Sequence, residues 1–362
     1  MGEQEVFDLL IIGGGPAGLN AAFWAFRQGK KVAVVEMQEE CGGQVTGTWG
    51  DKTAYDLPGF AAITGNEYIE GLKEQALNSP LVKTMKSSPD LPKLFSPEKA
   101  TSLVKEEVDG KPIFTVTLEK LKMSYGEVAG VLGEHSVQAR TILITAGLGT
   151  TTPTEFREPE INKFSGKGLN YIAGDLEQYR DKKVLVVGGG DSAVDWAHQL
   201  DEIAESVTLI HRRDGFRATE LTVLEHLMNE DVVRVFYEVD SIEGDECVEG
   251  VWIRNNKTDE KELLEIDKII ACLGQKPNLG IFEEWGLELG HRNRIKVRTE
   301  DVDGIPVPAF TNVEGIFAAG EASTVHTNLI AFDIAFAGLA ALTAVRYLDP
   351  GKKLCPRYSS KV

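Results

Sequence analysis

Phe7-Asp8-Leu9-Leu10-Ile11-Ile12 runs into Gly13-Gly14-Gly15-Pro16-Ala17-Gly18 and then into Ala21-Ala22-Phe23-Trp24-Ala25-Phe26, with a stop at Gly29. The apolar run reads as a buried strand, the glycines as a tight turn, and the segment after them as a helix. The next apolar run, Val32-Ala33-Val34-Val35, ends in Glu36, about twenty residues beyond the turn. A lone glycine pattern is weak, because an ordinary crossover also uses glycines to shape its turn. Here strand, turn, helix, second strand and terminal acid arrive in order, and each has a physical reason. Gly13 permits the turn, Gly15 lets backbone approach a pyrophosphate, and Gly18 allows helix and strand to pack. Pro16 and Ala17 open the helix, and Glu36 accepts from a ribose hydroxyl.

The pattern recurs. Val184-Leu185-Val186-Val187 leads into Gly188-Gly189-Gly190-Asp191-Ser192-Ala193, a helix through Val194-Asp195-Trp196-Ala197, and a strand Val207-Thr208-Leu209-Ile210. Two dinucleotide sites in one chain imply electron transfer between two nucleotides. The second strand here ends not in an acid but in His211-Arg212-Arg213-Asp214-Gly215-Phe216-Arg217. An acid at that place favours NAD and repels a 2′-phosphate, whereas guanidinium groups attract one and bind two oxygens at once. At about 1.5–3 kcal/mol per charge-assisted hydrogen bond, two such bonds set a preference on the order of a hundredfold. The second site is therefore expected to prefer NADPH.

Composition narrows the field. The 362 residues carry 38 Lys+Arg against 56 Asp+Glu, a net charge of -18 with 42% hydrophobic residues. No stretch approaches 18 uninterrupted apolar residues, and an acidic start does not read as a signal peptide. A strongly acidic chain repels nucleic acid. Cys41, Cys247, Cys272 and Cys355 are scattered, with neither a C-x-x-C nor a zinc spacing, which suits a reducing cytoplasm better than a disulfide scaffold.

Further motifs decide which nucleotide goes where. Cys41-Gly42-Gly43-Gln44 follows Glu36, Thr145-Ala146-Gly147 ends a strand, and Phe317-Ala318-Ala319-Gly320-Glu321 ends another. With the two glycine turns, this ordered set resembles the two-dinucleotide-binding-domain flavoproteins of the thioredoxin-reductase-like group over nearly the whole chain. The resemblance implies an α/β fold of two Rossmann-like three-layer domains. A FAD domain (1–156 and 282–362) would be interrupted by an NADPH domain (157–281), with FAD in the first site and NADPH in the second. Thioredoxin reductases carry a C-x-x-C just before the second turn; here Tyr171-Ile172-Ala173-Gly174-Asp175-Leu176-Glu177-Gln178-Tyr179 holds no cysteine, and Cys41 lacks a partner five residues on. Without a dithiol, electrons must leave the flavin directly.

That combination is similar to the homodimeric ferredoxin–NADP reductases of the thioredoxin-reductase-like type. Tyr55-Asp56-Leu57-Pro58-Gly59-Phe60, Asn328-Leu329-Ile330-Ala331 and the tail Leu354-Cys355-Pro356-Arg357-Tyr358-Ser359-Ser360 support the likeness. It implies that Trp49 stacks on one flavin face and Tyr358 of the partner subunit on the other. It also implies that Ser360 approaches the isoalloxazine and that Gln44, Gly43, Asp56, Gly147, Gly320 and Ile330 line the FAD site. The family usually has Asp where this chain has Glu321, and several relatives have His where it has Tyr358. No catalytic base is required: hydride passes from NADPH to flavin N5 and single electrons go on to an iron-sulfur or flavin protein.

Ferredoxins are acidic, so docking on this acidic chain calls for local basic patches. Two islands qualify: Lys83, Lys86, Lys93, Lys99 and Lys105, and the tail with Arg346, Lys352, Lys353, Arg357 and Lys361. The tail is the favoured dock, through Lys352, Lys353 and Arg357. Residues 118–136 suggest an extended β-hairpin without an assigned role. Two other readings stay open on the sequence: the same cofactors serving a disulfide or small-molecule acceptor, and a flavin-bound sensor without turnover.

Overall fold

The computed structural model describes every residue except 1–4, 52, 80–89, 109, 125, 126, 150, 151, 172, 217–231, 277, 328 and 353–362, and leaves out the side chains of 48, 49, 127 and 152. The chain forms two compact units, one of Met1–Thr150 with Pro277–Val362 and one of Thr151–Lys276. The second begins and ends several residues before the 157–281 range read from the sequence. The reason is local: Thr152–Pro153 and Gln275–Lys276 pair antiparallel, so both passages of the chain belong to one small ladder.

In the first unit, β1 (Val6–Ile12), α1 (Pro16–Arg27) and β2 (Val32–Val35) form the expected strand-turn-helix-strand. β1 lies between β2 and the strand Glu127–Ile144, parallel to both. The strand Ile316–Ala318 extends this parallel set on one side and Lys93–Phe95 on the other, and Ile305–Phe310 and Arg298–Val302 add an antiparallel edge. Parallel strands covered on both faces must be apolar throughout, which is why β1 and β2 read as continuous hydrophobic runs and not as alternating ones. Leu9, Ile11, Val32, Val34 and Leu143 face one core layer, with Leu19, Phe23 and Phe26 of α1; Leu10, Ile12, Ala33, Val35, Ile142 and Ile144 face the other.

The helix Ile330–Leu348 closes the first layer. It is long and apolar enough to cross a membrane by length and composition. Its role is that of a core helix: Ala337, Ala340, Ala341 and Ala344 are fully buried, small residues that let it lie close against α1. The hairpin expected around 118–136 is present, as Lys111–Ser124 pairs antiparallel with Glu127–Ile144, and Glu98–Val108 adds a third strand.

The register brings four strand ends together. Ile12 lies opposite both Val35 and Ile144, and Ile144 opposite Ala318. The segments that follow, the glycine turn, Thr145-Ala146-Gly147 and Gly320-Glu321, therefore emerge at one edge, the carboxyl end of a parallel sheet where ligands bind in such folds.

The second unit has a five-stranded parallel sheet in the order Leu169–Asn170, Lys268–Ala271, Lys183–Val187, Ser206–His211 and Val233–Val235. A three-stranded antiparallel sheet, Tyr237–Glu243, Gly250–Asn255 and Lys261–Glu265, packs on it through Val251 and Ile253. Val187 stands opposite Ile210 and Ala271, so the second glycine turn also leaves from aligned strand ends.

Candidate dinucleotide sites

The glycines of the first turn divide into those the protein itself requires and one it does not. Gly13 has φ 109°, and a Cβ there would lie 2.6 Å from the Thr145 carbonyl oxygen. A Cβ on Gly18 would come within 1.9 Å of the Gly13 oxygen, and one on Gly14 within 2.9 Å of Cys41 Sγ. At Gly15 the nearest heavy atom is the Gly42 oxygen, 4.0 Å away. Nothing among the described residues forbids a side chain at Gly15, so its bare face is open to a group that approaches from outside. Gly15 is the N-cap of α1 and Pro16 follows it, with no side chain capping the helix. Its first N–H groups and its dipole are thus available to an anion.

Glu36 closes the turn. Its Oε2 accepts from Gly14 N–H at 2.8 Å and its Oε1 from Gln38 N–H at 2.8 Å, and the residue is only 7% exposed. Burial pushes its carboxyl up, opposed by the N–H groups of Gln38, Gly14 and Met37. A carboxylate fixed in this way has lone pairs left for a ribose hydroxyl.

Around the open face of Gly15 several of the remaining expected residues come together. Gly43, with φ 57°, starts α2 (Gln44–Trp49). Gln44 Nε2 donates to Glu321 Oε2 at 2.9 Å across 277 residues of sequence. A Cβ on Gly147 would sit 3.6 Å from Gln44 Nε2; one on Gly320 would sit 3.3 Å from Ala17 Cβ and 3.8 Å from Asp333 Cβ. Ile330 is the first residue of its helix, whose N-terminus also lacks a side-chain cap. Asp56 is exposed, and none of the contacts that tie this cluster together reaches it. The side chain of Trp49, and Tyr358 and Ser360 altogether, lie outside the described residues.

Three further residues enter the cluster unannounced. Arg294, 5% exposed, donates from Nη2 to Glu321 Oε1 at 3.2 Å and contacts His326 Nδ1 through Nη1 at 3.2 Å. Arginine has no acceptor, so Nδ1 accepts and the neutral ring carries its proton on Nε2. Asp333 Oδ1 and Arg294 Nε are buried without a hydrogen-bond partner among the described residues. Burial first, and then the Glu321 charge, push the Asp333 carboxyl up to about 6 against the pull of Arg294. A buried polar atom left unpaired costs about 1–3 kcal/mol. A ligand with hydroxyl or ring N–H groups would relieve that cost, and the open Gly15 face and this orphaned carboxylate together fit a flavin dinucleotide. Asp333 had one visible signal: it is the acid in the first turn of an otherwise apolar helix. Arg294, in a run of basic residues, had none.

The second turn repeats the design with a different closing residue. Gly188 has φ 153°, and a Cβ there would lie 2.7 Å from the Cys272 oxygen and 3.0 Å from Ala193 Cβ. A Cβ on Gly189 would strike the His211 ring at 2.4 Å, so His211 covers Gly189 as Glu36 covers Gly14. Gly190 caps the helix Asp191–Asp201 without a side-chain bond, Asp191 and Ser192 are exposed in its first turn, and Ala193 is buried. His211 also packs on Phe216 at 5.1 Å. Arg212 and Arg213 are exposed at the strand end, where the Arg212 carbonyl accepts from Asn256 Nδ2 at 2.8 Å. Arg217 lies outside the described residues.

The thiols do not form a redox centre among the described residues. Cys41 is 1% exposed and burial pushes its thiol up to about 12; Cys272 is pushed up to about 12 by the same cause. Cys247 is exposed, and all three are free. No cluster of metal-ligating side chains occurs among the described residues.

Residues 7–333 match the family model described as pyridine nucleotide-disulphide oxidoreductase. The chain belongs to this family. It is 34% identical to the ferredoxin–NADP reductase of Symbiobacterium thermophilum over 367 residues, covering 99% of this chain and 98% of the relative. It is 35% identical to ferredoxin–NADP reductase 2 of Bacillus cytotoxicus over 364 residues, covering 99% of each. The fold is that of the thioredoxin reductases: the crystal structure of the T. acidophilum enzyme superposes with a TM-score of 0.76 at 23% identity, covering 96% of this chain and all of that one. The chain is thus an oxidoreductase of the ferredoxin–NADP reductase family on a thioredoxin-reductase-like fold, in a family that typically takes FAD and NAD(P)H.

Proposed function

We propose that this protein is an FAD-dependent ferredoxin or flavodoxin–NADP reductase, with FAD on the first turn and NADPH on the second. The observation that carries the reading is the pairing of two helix N-termini without side-chain caps behind glycine turns with the buried, protonated thiols of Cys41 and Cys272 beside them. The two turns would take two nucleotides, and no dithiol occurs among the described residues to stand between them and an external acceptor. A thiolate is the reactive form of cysteine, and a thiol near 12 is almost wholly protonated at neutral pH.

Bound FAD would accept a two-electron reductant and release electrons singly. Everything else falls to the chain. Gly15 and the α1 N-terminus receive the pyrophosphate, and Glu36 accepts from the ribose. Gln44, Gly147, Gly320 and Glu321 form the polar wall beyond, and Trp49 and Tyr358 are assigned to the two ring faces. In the second unit Gly188, Gly190 and the helix from Asp191 receive the NADPH pyrophosphate. Arg212, Arg213 and Arg217 are assigned to its 2′-phosphate.

The protein is proposed to act as a homodimer, docking its acidic partner through Lys352, Lys353 and Arg357. Of these only Lys352 is described; its Nζ donates to the Gln28 carbonyl at 2.6 Å, so part of its charge is committed within the protein. In the other island, Lys83 and Lys86 lie outside the described residues and Lys93 pairs with Glu5 at 3.3 Å.

The test is anaerobic stopped-flow of the purified protein with NADPH and with NADH, followed by cytochrome c reduction with and without ferredoxin. Fast flavin bleaching by NADPH and ferredoxin-dependent cytochrome c reduction are expected. A flavin left oxidised by NADPH overturns the assignment. Replacing Lys352 and Lys353 by Glu should slow ferredoxin reduction and leave ferricyanide reduction intact; equal loss with both acceptors removes the docking surface.

A further inference from the structure

We propose that Asp333 is the redox-linked proton acceptor of this enzyme: when electrons enter the bound flavin, its carboxylate takes a proton from solvent and gives it back on reoxidation. The proposal rests on the assignment of FAD to the first turn and extends it with a residue that does not belong to the turn.

Four observations support it. Asp333 lies at the mouth of the site, where its Cβ would be 3.8 Å from a Cβ on Gly320, the residue that faces Ala17 at the start of α1. Its Oδ1 is buried and has no hydrogen-bond partner among the described residues, although an arginine and a glutamate belong to the same cluster. Arg294, the buried cation of the cluster, directs its bonds elsewhere, Nη2 to Glu321 Oε1 and Nη1 to His326, and its Nε stays unpaired among the described residues instead of reaching Asp333. Gln44, the neutral donor, is likewise committed to Glu321. Glu321 thus accepts hydrogen bonds on both oxygens, and Asp333 is the acid left without one on Oδ1 among the described residues.

The charged and titratable groups that bear on Asp333 are few. Glu321, from the turn after Ile316–Ala318, raises its proton affinity; Arg294, from the loop before Arg298–Val302, lowers it. Arg292 and His326 act through Arg294, the first by its charge and the second by its hydrogen bond. From α1, the neutral Asn20 bonds the Ile334 carbonyl beside it. In this setting the carboxyl titrates near 6, close enough to neutrality that one added negative charge moves it across. A pyrophosphate on Gly15 and extra electron density on the flavin both act in that direction.

The balance is simple. NADPH supplies two electrons and one hydrogen nucleus; NADP⁺ leaves; one further proton from water converts the Asp333 carboxylate to the acid. Reoxidation by two one-electron acceptors releases two protons, the nucleus that came from NADPH and the one held by Asp333.

The experiment is a redox titration of the yellow holoprotein against dyes of known potential, from about pH 5 to about pH 9, for the wild type, Asp333→Asn and Asp333→Glu. The wild type should take up one more proton per two electrons than Asp333→Asn over a window that starts at or above about 6, so its reduction equilibrium falls an additional tenfold or so per pH unit there. Asp333→Glu, which keeps a titrating acid, should retain the extra proton with the window displaced. Parallel wild-type and Asp333→Asn curves at every pH overturn the proposal. If Asp333→Asn does not fold, proton release into an indicator dye on reoxidising the wild type decides, an excess over the flavin's own proton supporting the proposal and none overturning it. A protein that binds no FAD overturns the cofactor assignment, and the proposal with it, and is recognised by its lack of colour.

Discussion

Gly15→Ala and Gly18→Ala test the reading of the first turn, because the structure gives them opposite consequences. At Gly18 the new methyl would meet the Gly13 carbonyl oxygen at 1.9 Å and Thr145 Oγ1 at 2.8 Å. The obstacle is backbone that cannot swing away, so strand and helix must separate; overpacking of this kind costs about 1–3 kcal/mol or more. At Gly15 φ is -70°, a conformation alanine adopts freely, and the methyl would meet nothing closer than 4.0 Å. Losing a glycine at an N-cap costs a few tenths to about 1 kcal/mol. The lost flexibility of the unfolded chain returns about 0.4–1 kcal/mol. The Gly15→Ala apoprotein should therefore unfold within about 1 kcal/mol of wild type.

Its cofactor binding should fail. The methyl occupies the face on which a pyrophosphate would rest, and losing one charge-assisted hydrogen bond, about 1.5–3 kcal/mol, weakens FAD by about ten- to a hundredfold. Urea unfolding of the apoproteins and fluorescence titration with FAD measure the two quantities separately. A Gly15→Ala protein that binds FAD as tightly as wild type refutes the pyrophosphate cradle. A Gly18→Ala apoprotein of wild-type stability refutes the packing.

Arg212→Ala with Arg213→Ala should raise the KM for NADPH by about a hundredfold or more and leave that for NADH nearly unchanged, since about 1.5–3 kcal/mol for each of two 2′-phosphate bonds is lost from one substrate only; steady-state kinetics with both nucleotides reads this directly. Cys41→Ala should keep ferredoxin-dependent turnover, and Cys41 should resist alkylation at neutral pH, because its thiol lies near 12; mass spectrometry of the alkylated native protein checks it. Glu36→Gln should weaken FAD by roughly tenfold and also alter the acid limb of stability. Because the folded carboxyl is raised above its usual value of 4.5, the folded state binds the proton more tightly, and apoprotein stability falls as pH rises from about 4.5 through the raised value. Glu36→Gln should flatten that slope in urea unfolding, and an unchanged slope would place the titration elsewhere.

Much of the site was legible in sequence because it is built from local patterns repeated in order. Gly13, Gly18 and Glu36 belong to one strand-turn-helix-strand unit, where spacing fixes position, and Gly188, Ala193 and His211 belong to another. The contact of His211 with Gly189 was not legible, although the place of His211 was, because the ring's tilt depends on Phe216 beside it. The unit boundaries differ by several residues from the sequence reading because they are set by one ladder of two two-residue strands, too short to leave a pattern.

What the sequence determined by itself was the presence of two nucleotide turns, the change from acid to basic residues between them, and the lack of a dithiol spacing. These are properties of neighbours along the chain, and short-range sterics and charge suffice to state them. What only the tertiary structure decided was the company of Glu321. Its partners Gln44, Arg294 and, through charge, Asp333 come from separate stretches that meet because parallel strands end in register at one edge of a sheet. Which carboxylate is satisfied and which is left to titrate depends on distances across that edge, and no reading along the chain contains them.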